Sequence, residues 1–326
     1  MTEPVTGPVP GPTAGPVVLA VDIGGTKTAA AVVDGDGRIV AQGRTPTLAQ
    51  ENPEVLWKAL TDLLDEVHAA AGGTSPAGVG VGCSGPMTWP DAEVSPLNIP
   101  AWRGFPLRRR LRERYPGLPV RVHNDAVCVA VGEHWRGAGR GHGNVLGMVV
   151  STGVGGGLVL GGRLVDGASG NAGHVGHIVV EPGGPPCPCG GRGCLEAVAS
   201  GPSLVRWARG EGWRPDEPAA TGADLAADAR AGNRVALAAV RRAGRAVGVA
   251  LASAAHLCDL DAAVIGGGVS QIGAPLFDAV REALDVHARM DFARRLRVVP
   301  TALGQTSGLI GAAALVLAGD RYWTAG

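Results

Sequence analysis

One pattern occurs twice in this chain and limits its fold more than any other feature. Residues 17–37 and residues 145–162 each contain an apolar run, a glycine turn, a second apolar run and a second glycine turn. Apolar runs separated by such turns are typical of antiparallel strands. The repetition therefore predicts two related α/β halves, each of which opens with a β-meander.

The rest of the chain alternates between predicted strands and helices. Helices are predicted where apolar residues recur every three to four positions, and strands where short apolar runs end in glycine or polar residues. The glycines at 153–157 are predicted to form a turn. The predicted strands cover 17–22, 28–33, 38–43, 78–83, 120–123, 144–151, 158–160, 261–265 and 296–300. The predicted helices cover 52–71, 107–114, 126–135, 203–209, 222–230, 233–257, 274–288 and 308–318.

The length of 326 residues suits two domains or one elaborated α/β unit. A second cycle of strands and helices begins near residue 120. We expect residues 1–16 to be a disordered tail, because six of the first dozen positions are proline or glycine. This segment also lacks the basic start and the apolar run of a signal peptide.

The balance of positive and negative residues argues against a strongly charged partner. Lys and Arg together number 29, and Asp and Glu together also number 29. We therefore expect neither nucleic acid nor a membrane surface as a partner. The sequence contains no uninterrupted apolar run of about 18 residues, so no membrane span is predicted. Free cysteines and the missing signal peptide predict a cytoplasmic protein.

A cluster of cysteines predicts a metal site. Three of the six cysteines, Cys187, Cys189 and Cys194, have the spacing C-x-C-x4-C, and His177 lies ten residues upstream of the first. One imidazole and three thiolates are a complete tetrahedral set for structural zinc. Three clustered sulfurs cannot pair evenly, which makes disulfides a weak alternative. A chance grouping of buried thiols is the other alternative.

Three glycine turns follow apolar strands and predict a phosphate-binding cleft. Glycine lets the backbone approach an anion closely, and the backbone amides can then point at it. None of the turns has the spacing of a Walker A or a dinucleotide-binding motif. Together they indicate a nucleotide between two halves, although each could be only a tight turn. The segments are Asp22-Ile-Gly-Gly-Thr-Lys-Thr28, Ser151-Thr-Gly-Val-Gly-Gly-Gly157 and Gly266-Gly-Gly268.

Phosphoryl transfer also needs a base for the acceptor hydroxyl, and Asp125 is the candidate. It follows a predicted strand in the segment Val122-His-Asn-Asp-Ala126 and precedes a predicted helix. This position places the carboxylate at the mouth of a sheet. The alternative is that Asn124 or Asp125 only caps the helix, which is a common role for these residues.

These motifs, in this order, resemble those of the ROK family of bacterial sugar kinases and related repressors. The resemblance runs from about Val17 to Gly319, and its cysteine motif is highly specific. It implies a two-domain α/β fold of the actin-like, ribonuclease-H-like ATPase class, with a nucleotide and sugar cleft between the domains. It also implies ATP with Mg²⁺, a structural Zn²⁺, a small-molecule sugar substrate, and a homodimer or homotetramer. We expect a small domain over 17–122, onto which the helix near 308–319 packs back, and a large domain over 123–307 with a zinc-binding loop at 177–196.

The resemblance also implies roles for individual residues. Asp125 matches the catalytic base that takes the proton of the sugar 6-hydroxyl. His177 matches a zinc ligand that also faces the sugar, with Cys187, Cys189 and Cys194 completing the metal site. The other residues that match sugar contacts are Asn98, Asn124, His174 and Glu196. The residues that match nucleotide contacts are Asp22, as the holder of magnesium directly or through water, and Gly24, Gly25, Thr26, Lys27, Thr152, Gly153, Gly267 and Gly268.

One position departs from most glucose kinases of the family. They have Glu-x-Gly-His where this chain has His174-Val-Gly-His177. An imidazole can donate a hydrogen bond, which suits an acetamido carbonyl at C2 of the sugar. Bacterial N-acetylmannosamine kinases resemble this chain at that motif, so N-acetylmannosamine is the preferred prediction. The segment Asn98-Ile-Pro100 is more similar to glucose kinases, and glucose bound to His174 through a water is the alternative.

Two other functions compete with that of a sugar 6-kinase. A repressor of this family would need a helix-turn-helix module of about 60–80 residues before the first glycine turn. Only 16 residues rich in proline and glycine precede the first strand, and we expect them to be too few. The other possibility is a non-catalytic sugar-binding regulator of the same fold. The intact Asp125 and the complete glycine turns favour the kinase.

Overall fold

The computed structural model describes residues 3–6, 15–50, 52–215, 217 and 219–324, with residues 3–6 and 320 described by their backbone alone. The strands are β1 (Glu3–Thr6), β2 (Val17–Ile23), β3 (Lys27–Asp34), β4 (Ile39–Pro46), β5 (Val79–Cys83), β6 (Glu93–Val94), β7 (Phe105–Pro106), β8 (Val120–Asn124), β9 (Val145–Val150), β10 (Val154–Leu160), β11 (Arg163–Leu164), β12 (Ala262–Gly266) and β13 (Arg297–Pro300). The helices are α1 (Pro53–Ala70), α2 (Leu107–Arg114), α3 (Asp125–Arg136), α4 (Leu195–Ala199), α5 (Gly201–Gly210), α6 (Gly222–Arg230), α7 (Arg234–Cys258), α8 (Ala274–His287), α9 (Asp291–Arg294) and α10 (Ser307–Leu317).

Two mixed sheets organise the described residues. The first has the strand order β1-β4-β3-β2-β5-β8, and the second has the order β11-β10-β9-β12-β13. In the first sheet, β2, β5 and β8 are parallel neighbours, while β3 and β4 complete an antiparallel meander. In the second sheet, β9 is antiparallel to β10 and parallel to β12. The predicted pair of meanders is therefore present, one in each sheet.

Helices α3 and α10 join the two sheets. Helix α3 packs on β9 and β10 of the second sheet, and α10 packs on β2 and β5 of the first, while the two helices also contact each other. Glycine makes this contact possible, because a Cβ on Gly311 would lie 1.7 Å from the carbonyl oxygen of Cys128 and one on Gly132 would lie 2.3 Å from that of Ser307. Helix α3 thus begins at the edge of the first sheet and lies across the second.

The glycines at 155–157 are part of β10, so the prediction that they form a turn is wrong. The turn is confined to residues 151–153, where Val150 and Val154 are paired across it. A Cβ on Gly155 would lie 2.8 Å from the Cβ of Ala126, and one on Gly157 would lie 2.8 Å from the Cα of Val127. Glycine is needed there because α3 lies directly on the strand.

The start of the chain also differs from the prediction. Most of the expected disordered tail lies outside the described residues, but Glu3–Thr6 form β1, which pairs antiparallel with β4. The edge of β4 offers unpaired backbone groups to a further strand, and β1 uses them. Among the described residues, no helix is both long enough and apolar enough to cross a membrane.

Candidate active site and metal centre

The carboxyl ends of β2, β5 and β8 bring Asp22, Ser84 and Asp125 to one edge of the first sheet. Ser84 donates a hydrogen bond from Oγ to Oδ2 of Asp125 over 3.0 Å. The other oxygen of Asp125 accepts the amide of Ala126 at 2.8 Å. The carboxylate is therefore held in place at the first residue of α3, as a group that must meet a substrate hydroxyl requires.

Burial changes the acidity of the two aspartates at this edge. It raises the pKa of Asp125 above its usual value, although the hydrogen bonds from Ser84 and Ala126 partly oppose that rise. Burial raises the pKa of Asp22 to about 7, with a further rise from the charge of Asp125 and a partial offset from Lys27. A buried carboxylate beside a second negative charge, as at Asp22, fits a divalent cation with oxygen ligands, such as Mg²⁺.

The first glycine turn lies against segments from elsewhere in the chain. The amide of Gly24 donates to the carbonyl of Lys27 over 3.0 Å and closes the turn. A Cβ on Gly25 would lie 2.5 Å from Nδ2 of Asn98, so only glycine lets that side chain approach. Lys27 donates from Nζ to Oε1 of Gln305 over 2.9 Å. Thr26 and Lys27 are exposed at the tip of the turn, where an anion can reach them.

Asp22 also lies beside the start of α10. A Cβ on Gly308 would come within 2.6 Å of Oδ2 of Asp22. The segment that holds Gln305 and Gly308 therefore contacts the first turn as well. These contacts join the first turn to a segment that leaves the second sheet after β13.

The second and third glycine turns lie side by side, because β9 and β12 are parallel neighbours. Gly267 has a φ of +88°, and a Cβ there would lie 2.4 Å from the carbonyl oxygen of Val150. A Cβ on Gly268 would lie 3.9 Å from Oγ of Ser151. The exposed Thr152 and the half-buried Gly153 form the tip of the second turn. Backbone and hydroxyl groups from two strand ends are thus available to one ligand.

Glu196 connects the second turn with the cysteine-rich loop. Its Oε2 accepts the amide of Val154 at 2.8 Å, and a Cβ on Gly153 would lie 2.8 Å from the same oxygen. Glu196 lies in α4, two residues after Cys194. The structure therefore places this predicted sugar contact beside a predicted phosphate turn.

The predicted sugar contacts Asn124 and His174 meet at Gly85. A Cβ on Gly85 would lie 3.1 Å from Nδ2 of Asn124 and 4.0 Å from Cε1 of His174. Asn124 also caps α3, since its Oδ1 accepts the amide of Ala126 at 3.0 Å. The alternative role as a helix cap is thus real for Asn124, and it uses the side-chain oxygen and not the amide nitrogen. Asn98 is exposed and lies at the first turn, away from this pair in the described contacts.

Burial, followed by the neighbouring His177 and His123, lowers the pKa of His174 below its usual value. Its imidazole is therefore neutral at pH 7 and offers one donor and one acceptor. The ring stacks near that of His177, with the centroids 6.2 Å apart. A glutamate at this position would offer only acceptors, so the two side chains differ in hydrogen-bonding capacity.

His177, Cys187, Cys189 and Cys194 form a compact set of ligand atoms. One ligand atom from each lies within 4.8 Å of all the others. Sγ of Cys187 is 3.8 Å from Nδ1 of His177, and the sulfurs of Cys189 and Cys194 are 3.7 Å apart. A tetrahedral zinc site with these ligands has neighbouring donor atoms about 3.5–3.8 Å apart. The four residues therefore fit one Zn²⁺ ion.

The three thiols differ in acidity. Burial raises the pKa of Cys187 to about 12 and also raises that of Cys194. The pKa of Cys189 is lowered, chiefly because its sulfur accepts the amide of Gly191. Sulfurs this close repel each other as thiolates, and only a bound cation lets all three ionise.

Sequence reasoning missed several residues at the site. Ser84 was visible only as the end of a strand, and Gln305 and Gly308 lie about 280 residues beyond the turn they contact. Such partners share no spacing with the motifs, because tertiary structure alone brings them together. The one usable signal was that Ser84, like Asp22 and Asp125, lies at or just after the end of a predicted strand.

Comparisons with known proteins agree with this geometry. The profile of the ROK family matches residues 18–318. A glucokinase from Thermotoga maritima is 35% identical over 312 residues, which are 92% of this chain and 96% of the relative. An N-acetylmannosamine kinase from Citrobacter koseri is 36% identical over 311 residues, which are 93% of this chain and 99% of the relative. A crystal structure of a ROK family glucokinase from Streptomyces griseus with glucose and AMPPNP is 35% identical and has a TM-score of 0.80, covering 93% of this chain and all of that one.

Proposed function

The chain belongs to the ROK family and is a sugar kinase, and we propose that it transfers the γ-phosphoryl group of ATP to the 6-hydroxyl of N-acetylmannosamine. The predicted two-domain, actin-like α/β fold is confirmed by the solved structures of this family. The donor, the hydroxyl and the sugar belong to the proposal. The homodimer or homotetramer and the cytoplasmic location remain predictions.

The observation that carries the proposal is the carboxylate of Asp125, held at the cleft by Ser84 and by the amide of Ala126. Asp125 accepts the proton of the sugar 6-hydroxyl as the oxygen attacks the γ-phosphorus. Burial raises its pKa, and a carboxylate with a raised pKa is a stronger base than an exposed one. The two hydrogen bonds also orient the side chain, so the attacking hydroxyl is positioned as well as activated.

The glycine turns have a separate task, which is to hold the nucleotide. Amides and hydroxyls at the first and second turns face the β- and γ-phosphates, and Lys27 adds a positive charge. Gly267 and Gly268 accommodate the adenosine side. Mg²⁺, when bound through Asp22, neutralises charge on the phosphates. The proposed Zn²⁺ does no chemistry on the phosphate; His177 and its three cysteines anchor the loop that leads to Glu196.

His174 is the reason for preferring an N-acylated sugar. Its neutral imidazole carries one N–H and lies near Gly85, as Asn124 does, and such a donor suits an acetamido carbonyl. Glucose is the second candidate, since glucokinases are among the relatives with 35% identity over most of the chain. A single hydrogen bond is enough to decide between them, because about 1.4 kcal/mol is a tenfold preference.

A coupled ADP-release assay tests this function with glucose, mannose, N-acetylglucosamine, N-acetylmannosamine and kanosamine. We expect the highest kcat/KM with N-acetylmannosamine, and a higher value for glucose would reject the substrate assignment. His174→Glu should shift the ratio of the two sugars toward glucose by about tenfold. His287→Glu makes the same replacement at an exposed helix end and should leave the ratio unchanged.

Asp125→Asn tests the base and separates an enzyme from a non-catalytic regulator. The amide cannot accept the proton, so turnover should fall by about a thousandfold while sugar binding, measured by calorimetry, persists. Retained turnover would remove Asp125 from the role of base. A wild-type protein that binds sugar but never releases ADP would favour the regulator.

A further inference from the structure

A buried hydrogen-bonded chain lies directly behind the proposed catalytic loop. His123 precedes Asn124 and Asp125 in the sequence and is completely buried. Its Nδ1 accepts the amide of Asn124 at 2.8 Å, so the ring proton resides on Nε2. Nε2 donates that proton to Oδ1 of Asp166 over 3.1 Å. The imidazole is thus bonded at both nitrogens and has one orientation.

Asp166 connects this imidazole with two other parts of the chain. The side chain is only 8% exposed, and its second oxygen accepts the hydroxyl of Thr324, near the end of the chain. Its carbonyl accepts the amide of Ala172 at 3.1 Å and closes the loop of residues 166–172. His174 follows that loop by two residues. Asp166 therefore lies at the base of the segment that presents the proposed sugar contact.

Aromatic side chains lie beside the bond between His123 and Asp166. The ring of Trp89 is 5.1 Å from that of His123 and 5.0 Å from that of Trp323, measured between centroids. Gly170, in the loop held by Asp166, also lies against Trp89, since a Cβ there would be 2.7 Å from the ring. Trp323 itself is 5% exposed. A hydrogen bond in such surroundings is strong, and its loss leaves a buried polar group without a partner.

We propose that His123 and Asp166 are positioning residues, which fix the amide of Asn124, and with it the start of α3, relative to the loop that carries His174. The proposal rests on the proposed function. Asp125 must stand within hydrogen-bonding distance of a hydroxyl on a sugar that His174 holds from the other segment. The bond from His123 to Asp166 is the direct link between those two segments. Thr324 completes it from the C-terminal tail.

The consequence is an effect on the sugar side of the reaction alone. Neither His123 nor Asp166 contacts the three glycine turns in the described interactions, so nucleotide binding should not depend on their bond. A displacement of about 1 Å between base and hydroxyl is enough to slow transfer by one to two orders of magnitude. General damage to the fold would instead weaken the binding of both the nucleotide and the sugar.

Three variants test the proposal by steady-state kinetics. Asp166→Ala removes the acceptor of both bonds, and we expect kcat/KM for the sugar to fall about tenfold or more while the KM for ATP stays within about twofold. Asp166→Asn can accept from His123 and donate to Thr324, so it should recover activity to within about threefold of the wild type. Thr324→Val removes the outer bond at an exposed position and should lower kcat/KM for the sugar by about threefold with an unchanged melting temperature. Asp285→Ala, on the exposed surface of α8, is the matched control.

The possible outcomes distinguish the proposed function from the positioning role of His123 and Asp166. An inactive wild type would overturn the proposed function and this inference together. An active wild type with an unaffected Asp166→Ala variant would overturn the positioning role alone, as would an Asp166→Asn variant as impaired as Asp166→Ala. If Asp166→Ala fails to fold, Thr324→Val decides, and unchanged sugar kinetics in that variant refute the inference.

Discussion

Glu133 of α3 lies at a junction whose strength can be measured. The side chain is completely buried, and its two oxygens accept four hydrogen bonds. Oε2 accepts the amides of Ala138 at 2.8 Å and Ala302 at 3.0 Å. Oε1 accepts the amide of Leu303 at 3.0 Å and the hydroxyl of Ser307 at 2.7 Å. One carboxylate thus ties α3 to the segment that leads from β13 into α10.

Glu133→Ala should destabilise the protein by about 4 kcal/mol. Each amide that loses its acceptor without regaining water costs about 1–3 kcal/mol, and three amides are affected. The three amides together would cost about 3–9 kcal/mol. Ala302 is exposed, so water can reach part of the site and the total cost should lie near the lower end of this summed range. Removal of one partner from a buried charged network has a typical cost of about 3–5 kcal/mol, which agrees.

Glu133→Gln should cost less, about 2 kcal/mol, because its amide oxygen can keep the bonds to Ala138 and Ala302. The NH₂ group then faces Leu303 and Ser307. The hydroxyl of Ser307 can accept from it, since that hydroxyl also lies 2.9 Å from the carbonyl of Gly304 and can donate there. Only the amide of Leu303 is left without an acceptor.

Urea denaturation followed by tryptophan fluorescence measures these differences, and the chain has seven tryptophans as reporters. Glu282→Gln removes a negative charge from the exposed face of α8 and should change the free energy of unfolding by less than about 0.5 kcal/mol. A Glu133→Ala variant within about 1 kcal/mol of the wild type would show that water replaces the carboxylate at little cost. An equal loss of stability in the alanine and glutamine variants would refute the expectation that three amides lose their acceptor in the first variant and one in the second.

Three further predictions concern packing, the metal and pH. Gly311→Ala should lower stability by about 3 kcal/mol or more in urea denaturation, because the new methyl group overlaps a backbone carbonyl, whereas Gly210→Ala meets open space and should be nearly neutral. Cys189→Ser should reduce the zinc content found by elemental analysis and weaken sugar binding. Cys258→Ser, outside the cluster, should do neither. Full zinc occupancy in the Cys189→Ser variant would exclude the proposed ligand set. Ser84→Ala removes a hydrogen bond that lowers the pKa of the proposed base, so the acid limb of the pH profile of kcat/KM should move to higher pH, and an unmoved limb would contradict the assignment.

Sequence patterns were sufficient to predict those features that depend on interactions between residues close together in the chain. Helix α7 was predicted over 233–257 and spans Arg234–Cys258, because its apolar spacing is regular and Asn233 caps it with two hydrogen bonds to backbone amides. The grouping of the candidate metal ligands was equally predictable, since Cys187, Cys189 and Cys194 lie close in sequence. In both places the residues that define the feature are near neighbours along the chain.

Most of the errors arose where distant parts of the chain select a residue. Glycine has a low strand propensity, and the run at 155–157 was therefore assigned to a turn, although helix α3 requires it inside a strand. Helix α5 starts at Gly201, two residues before the predicted bound, since Pro202 is tolerated in a first turn. Strand β1 depends on a partner about 40 residues away. For the candidate site, the carboxylates were predictable from strand ends, but the bond from His123 to Asp166 has no counterpart in sequence spacing.

The close contact of α3 with α10 has a genetic consequence. Every single-base missense change in a glycine codon introduces a larger residue, and Gly132 and Gly311 each face main-chain atoms that no rotamer can move aside. A substitution between two hydrophobic side chains elsewhere in the core can be accommodated by repacking. Here a second mutation cannot compensate, because the contacting atoms belong to the backbone and not to a side chain that could be made smaller. We therefore expect almost no substitutions at these two codons in a saturation mutagenesis screen selected for growth on the sugar, even though neither glycine would touch a ligand.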